Sequence, residues 1–125
     1  MITYEELNAK LILANVPMMY ERVEWLISFW ETENIPPHSL LEDTFNPCLR
    51  ELLSREENEE LVRQIFAFYE RLASEGDDGV RNLLQVKLLP PLRRSAQVYE
   101  RALSFMLPET LRLNDELSSY LREAK

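Results

Sequence analysis

A chain of 125 residues, 46% hydrophobic and 29% charged, is long enough for one domain with a real core and too short for two. Two glycines are too few for the turns of a strand-rich fold, the single Cys48 excludes an intramolecular disulfide, and no Cys/His grouping has zinc-ligand spacing. The net charge of −8 is uneven: residues 1–80 carry 6 Lys/Arg against 17 Asp/Glu, whereas residues 81–125 carry 8 against 5.

In chain order, Thr3 and Glu6 have capping-box spacing, and Leu7 and Leu11 begin an apolar stripe that ends before Pro17. The opening MITYEELNAK has no basic start followed by an apolar run, and no apolar stretch of about 18 residues occurs. The expectation is a soluble cytoplasmic protein without a membrane partner. Pro17 suits the first turn of a second helix, in which Met19, Val23, Leu26, Ile27 and Trp30 share a face that Trp25 and Phe29 widen. Thr32 to His38, with Pro36-Pro37, reads as a loop. Leu40, Leu41 and Phe45 follow, and Asn46-Pro47 is either the cap of a new helix carrying Leu49, Leu52 and Leu53 or a kink.

Residues 57 to 74 form the clearest helix, with one stripe of Leu61, Ile65, Phe68 and Leu72 beside a second of Val62, Phe66, Tyr69 and Ala73. The pattern stops at Glu75-Gly76-Asp77-Asp78 and restarts at once. Gly76 is expected to end the helix in a left-handed conformation, and Asp77 or Asp78 to cap the next. That makes a tight antiparallel helical hairpin of the HEAT type. Its second arm carries Val80, Leu83, Leu84, Val86, Leu88 and Leu89, apolar nearly all round, and is expected to be the most buried element. Pro90-Pro91 ends it. Ala96, Tyr99, Leu103 and Met106 mark a sixth helix, and Pro108 opens a seventh with Leu113, Leu117, Tyr120 and Leu121 facing inward. The predicted fold is all-α: one domain over residues 1–125, a bundle of six or seven helices with the hairpin at its centre.

Phe68, Glu70, Leu72, Gly76-Asp77, Val80, Asn82-Leu83, Val86 and Leu88-Leu89, followed by the Pro108 turn, carry a resemblance. Over this third of the chain the sequence resembles a family of small all-helical bacterial domains of unknown function. It departs from that pattern at Pro90-Pro91, where an acidic residue is more usual, and at Leu107, where glycine commonly precedes the proline. The resemblance implies an all-helical fold and brings no catalytic residues.

Groups able to do chemistry are sparse. His38 and Glu42 have the four-residue spacing of two helical metal ligands, but a transition metal needs a third and a fourth, so no metal and no cofactor is expected. Cys48 sits among apolar residues with Arg50 the nearest cation and reads as a structural thiol. The pairs Glu21/Glu24 and Asp115/Glu116 resemble the carboxylates of any helix surface. Arg93-Arg94, with Lys87 and Arg81, is the one basic cluster, and the net charge opposes nucleic-acid binding. Asn82 sits beside Leu83 on a helix expected to be buried and is expected to bond to backbone or to line a small pocket; a small-molecule site would need a polar pocket around His38 or Asn82. Glu56, Glu57, Glu59 and Glu60 open a helix, where carboxylates complement the dipole, and are the candidate partner-binding residues. The expected function is a non-catalytic protein-binding module, in its most specific form an immunity-type inhibitor of a basic toxin. The alternatives are a helical-repeat adaptor or homodimer joined through exposed aromatics such as Trp25 and Phe29, and a small-molecule-binding protein.

Overall fold

The computed structural model describes residues 1–123. Among the described residues seven α-helices follow one another: α1 (Ala9–Asn15), α2 (Tyr20–Trp30), α3 (Pro37–Arg55), α4 (Glu59–Glu75), α5 (Asp78–Leu83), α6 (Ala96–Phe105) and α7 (Pro108–Glu123). A π-helical turn, Leu84–Leu88, continues α5, and a 3-10 turn, Pro90–Arg94, leads towards α6. The β structure among the described residues is an isolated parallel bridge between Ile2 and Gly76. No helix among them is long and apolar enough to cross a membrane.

The hairpin forms as its spacing predicts, but its turn works differently. Gly76 is extended, with φ −77° and ψ 152°, not left-handed. Glycine is needed there for space: an added Cβ would overlap the Leu72 carbonyl oxygen and stand 2.5 Å from Val80 Cγ1. Because Gly76 is extended, Ile2 can lie alongside; the Ile2 N–H donates to the Glu75 carbonyl (2.7 Å) and the Asp77 N–H to that of Ile2 (2.8 Å). Asp77 is the cap, with Oδ1 accepting from the Val80 N–H (2.9 Å) and Oδ2 from that of Tyr4 (3.3 Å). One aspartate therefore fixes both α5 and the N-terminal segment.

That segment corrects another expectation. The Glu6 carboxylate accepts from the Thr3 N–H (3.0 Å) and hydroxyl (2.9 Å), yet the result is only a 3-10 turn, Tyr4–Glu6. Asn8 starts α1 afresh by accepting from the Leu11 N–H (2.9 Å). The break lets Leu7 turn fully inward.

The core follows α4, which buries both predicted stripes and joins Phe45 to Phe68 and Tyr69 at ring separations of 5.7 and 5.8 Å. The second arm buries Val80, Leu83, Leu84, Leu88 and Leu89, but Asn82 and Lys87 are exposed and Val86 is 49% exposed. It is therefore not the most buried element. A π turn holds more residues than an α turn, so the side chains beyond Leu84 are re-aimed and Val86 swings outward. In α7, Leu113 and Leu117 are buried, whereas Tyr120 (68%) and Leu121 (40%) are exposed where the helix outruns the core.

Prolines at two places in helical backbone are compensated by side chains from other elements. α3 runs unbroken through Pro47, whose missing N–H frees the Asp43 carbonyl; Arg22 fills it from Nε (3.3 Å) and Nη2 (3.1 Å). Pro90 and Pro91 deny the Lys87 carbonyl both its 3-10 and its α partner, and Asn46 Nδ2 donates to it instead (3.2 Å). Glu70 of α4 plays the same part at the start of α7, accepting from the N–H groups of Glu109 (3.0 Å) and Thr110 (2.9 Å) and from the Thr110 hydroxyl (3.1 Å).

Candidate protein-interaction surface

α2 is amphipathic in an unusual sense. Its inner edge, Met19, Val23 and Leu26, is buried against the core. The adjoining stripe is Met18, Arg22, Trp25 and Phe29, spaced four, three and four residues apart, which is one flank of the helix, about a quarter turn round from that edge. A solvated face normally carries polar residues here. Trp25 is instead 54% exposed and Phe29 69%, so these aromatics face away from the core they were expected to widen; Trp30, predicted inward, is 37% exposed.

The plate is held in place. Trp25 and Phe29 stack at 5.3 Å with 14° between their planes. The Arg22 guanidinium lies 5.4 Å from the Trp25 ring centroid while its N–H groups are fixed by the Asp43 carbonyl. The carbonyl freed by Pro47 thus anchors the arginine that braces Trp25. An aromatic held in one orientation loses little further entropy when a partner covers it.

Charge surrounds the plate. Glu21, Glu24, Glu31 and Glu33 are exposed, and none makes an ion pair or side-chain hydrogen bond among the described residues. Glu31 closes α2 in the left-handed region, with φ 56° and ψ 28°.

The predicted acidic run lies at another corner, the junction of α3 and α4. Glu56, Glu57, Glu59 and Glu60 are all exposed there. Two are already matched, Glu56 with Arg101 (3.2 Å) and Glu59 with Arg63. Glu57 and Glu60 are left to carry the local charge, and no large apolar side chain is exposed among residues 54–60.

His38 and Asn82 do share a wall, that of an open hollow of about 300 Å³ with Tyr4 and Lys87, and the Tyr4 hydroxyl lies 3.4 Å from His38 Nδ1. Glu42 lines a different hollow, with Asp43, Asn46, Arg50 and Arg94. No group of three or more His, Cys, Asp or Glu among the described residues converges as metal ligands would. Cys48 is half-buried; burial pushes its thiol up, against a smaller downward pull from Arg22. The basic cluster disperses. Arg93 donates to the Asn114 carbonyl and side chain (2.9 Å each) and to Ser118 (2.7 Å), and its guanidinium lies 4.8 Å from the Tyr99 ring centroid; Arg81 pairs with Asp78.

By sequence, Trp25 and Phe29 read in two ways, as a widening of the buried stripe and as exposed aromatics; the first is wrong and the second agrees with their exposure. The signal for exposure was the Arg22-Trp25-Phe29 spacing, which sets both rings beside a charge on a flank of the helix distinct from the Val23 and Leu26 edge. No curated protein and no solved structure matches the chain. A family model does, over residues 9–122, and by that match the chain belongs to the family described as a domain of unknown function, DUF7674.

Proposed function

We propose that this protein is a non-catalytic protein-binding module that engages its partner through the outer face of α2. The observation that supports the reading is the braced Trp25–Phe29 stack, two large rings exposed at 54% and 69% on a helix whose other side is firmly seated. Tryptophan and arginine are the side chains most often found at the energetic centre of protein interfaces, and exposed aromatic patches of this kind mark such sites. The uneven negative charge supports a basic partner, and the most specific form of the reading is an inhibitor that sits on a basic toxin.

The test compares two variants that leave the core untouched. Trp25→Ala/Phe29→Ala should lose a protein co-purified from cells that make this chain, with an unchanged melting temperature. Glu57→Lys/Glu60→Lys should keep it. Equal recovery from both variants and the parent would overturn the reading. Loss from the second alone would move the binding surface to the α3–α4 junction.

A further inference from the structure

The α2 face also specifies what kind of protein covers it. We infer that its occupant is a cationic amphipathic segment, with apolar side chains seated on Trp25 and Phe29 and lysines or arginines beside them, and not a second copy of this chain. The inference rests on the protein-binding reading above and adds the chemistry of the partner.

Three observations carry it. First, the stretch of residues 17–34 holds four glutamates against one arginine, and that arginine is committed to the Asp43 carbonyl and the Trp25 ring. Glu21 lies one helical turn before Trp25 on the same side, Glu24 adjoins it, and Glu31 and Glu33 follow Phe29 and Trp30. The apolar plate therefore has an acidic margin, and within this stretch no positive charge is free to match it.

Second, a two-fold dimer through α2 would set this margin against its own copy. A two-fold interface brings the same patch from both subunits together, so unpaired glutamates would face unpaired glutamates around a drying aromatic centre. Third, the sequence's basic cluster does not gather into one surface for head-to-tail assembly. Arg93 is spent on Asn114, Ser118 and Tyr99 and Arg81 on Asp78, while the exposed Lys87 and Arg94 line separate hollows, Arg94 beside Glu42 and Asp43. A partner must bring its own positive charge. A helix with apolar anchors on one side and cations along its edges meets both demands, through burial on the rings and attraction to the margin.

Both tryptophans of the chain, Trp25 and Trp30, belong to α2, so selectively excited tryptophan emission reports on this helix. The probe is a synthetic amphipathic peptide of leucine and lysine, roughly 18 residues long, with a counterpart bearing glutamate at every lysine position. Titrating the lysine peptide into the whole protein should shift tryptophan emission to the blue and saturate. Glu21→Lys/Glu24→Lys should weaken the affinity by about tenfold or more, and so should Phe29→Ala, whereas Glu57→Lys/Glu60→Lys should leave it within about twofold. The glutamate peptide should give no shift.

Equal weakening by the Glu57/Glu60 reversals would overturn the proposal by showing attraction to bulk negative charge. Equal binding of the two peptides, or a blue shift of the protein alone on concentration with a dimer mass in sedimentation, would overturn the cationic occupant while leaving α2 a protein-docking face. No response to either peptide would overturn it as well. Failure of the underlying reading looks different: co-purification insensitive to Trp25→Ala/Phe29→Ala.

Discussion

Gly76 and Glu70 show how much one side chain, or the lack of one, decides in this molecule. A methyl at Gly76 meets the Leu72 carbonyl and the buried Val80, neither of which can yield without moving a helix. Gly76→Ala should cost about 1–3 kcal/mol in urea denaturation, as overpacking does elsewhere, and an unchanged midpoint would mean that the α4–α5 turn is looser than described. Glu70 satisfies two N–H groups and a hydroxyl at the start of α7. Glu70→Ala leaves those donors unpaired, and a loss of about 1–3 kcal/mol is expected, with fraying of α7 visible as faster amide exchange at Glu109 and Thr110. Protonation acts in the same direction. The hydrogen bonds from Thr3 hold the Glu6 carboxyl below its ordinary value of 4.5, and those from Arg71 do so for Glu75. Carboxyls depressed in the folded state stabilise it above the unfolded value and cease to as pH falls through the folded one. Melting temperature should therefore decline below about pH 4.5, less steeply in Glu6→Gln, and a flat acid limb would contradict these contacts.

At the scale of elements, the two arms of the hairpin divide their work unequally. Leu84→Ala, at a fully buried position, should cost about 2–5 kcal/mol, whereas Tyr120→Ala, on the free end of α7, should change stability by less than about 0.5 kcal/mol. Similar losses from both would mean that the faces of these helices are assigned wrongly. Helices, hairpin and core were legible because 3.6-residue periodicity, proline and aspartate act locally. What was not legible depended on partners distant in sequence. The Asn46-Pro47 ambiguity is resolved by Arg22, 21 residues away from the carbonyl it fills, and the strand-like lie of Ile2 by Glu75 and Asp77. Val86 was misplaced because a π turn leaves no mark in hydrophobic spacing. Trp25 and Phe29 were read both as part of the buried stripe and as exposed aromatics, because hydrophobicity alone does not decide until their position relative to Val23 and Leu26 is weighed. Glu31, held left-handed where glycine is at ease, gives a further test: Glu31→Gly should stabilise by about 0.5–1 kcal/mol and should also weaken the acidic margin of α2.

For the whole molecule, charge and apolar exposure coincide on α2 and separate elsewhere. The α3–α4 junction offers carboxylates without an apolar centre, with Arg101 and Arg63 neutralising half of them. The groove lined by Val86, Pro90, Leu117 and Tyr120 offers the reverse, about 490 Å³ of mainly apolar space with Glu116 at its edge. Only long-range attraction together with a rigid anchor makes association both fast and durable, the first set by charge and the second by burial. The α2 face supplies both from eleven helical residues and the loop after them.

The most direct measurement is site-specific photo-crosslinking in living cells, with a photoreactive phenylalanine analogue in place of Phe29 and, separately, in place of Glu57. A discrete heavier adduct at position 29, absent at position 57, is the predicted result, and mass spectrometry of the adduct should identify a protein with a basic, amphipathic contact segment. Adducts at position 57 and none at 29, or none at either position while the protein is folded, would contradict the claim that this domain works through α2.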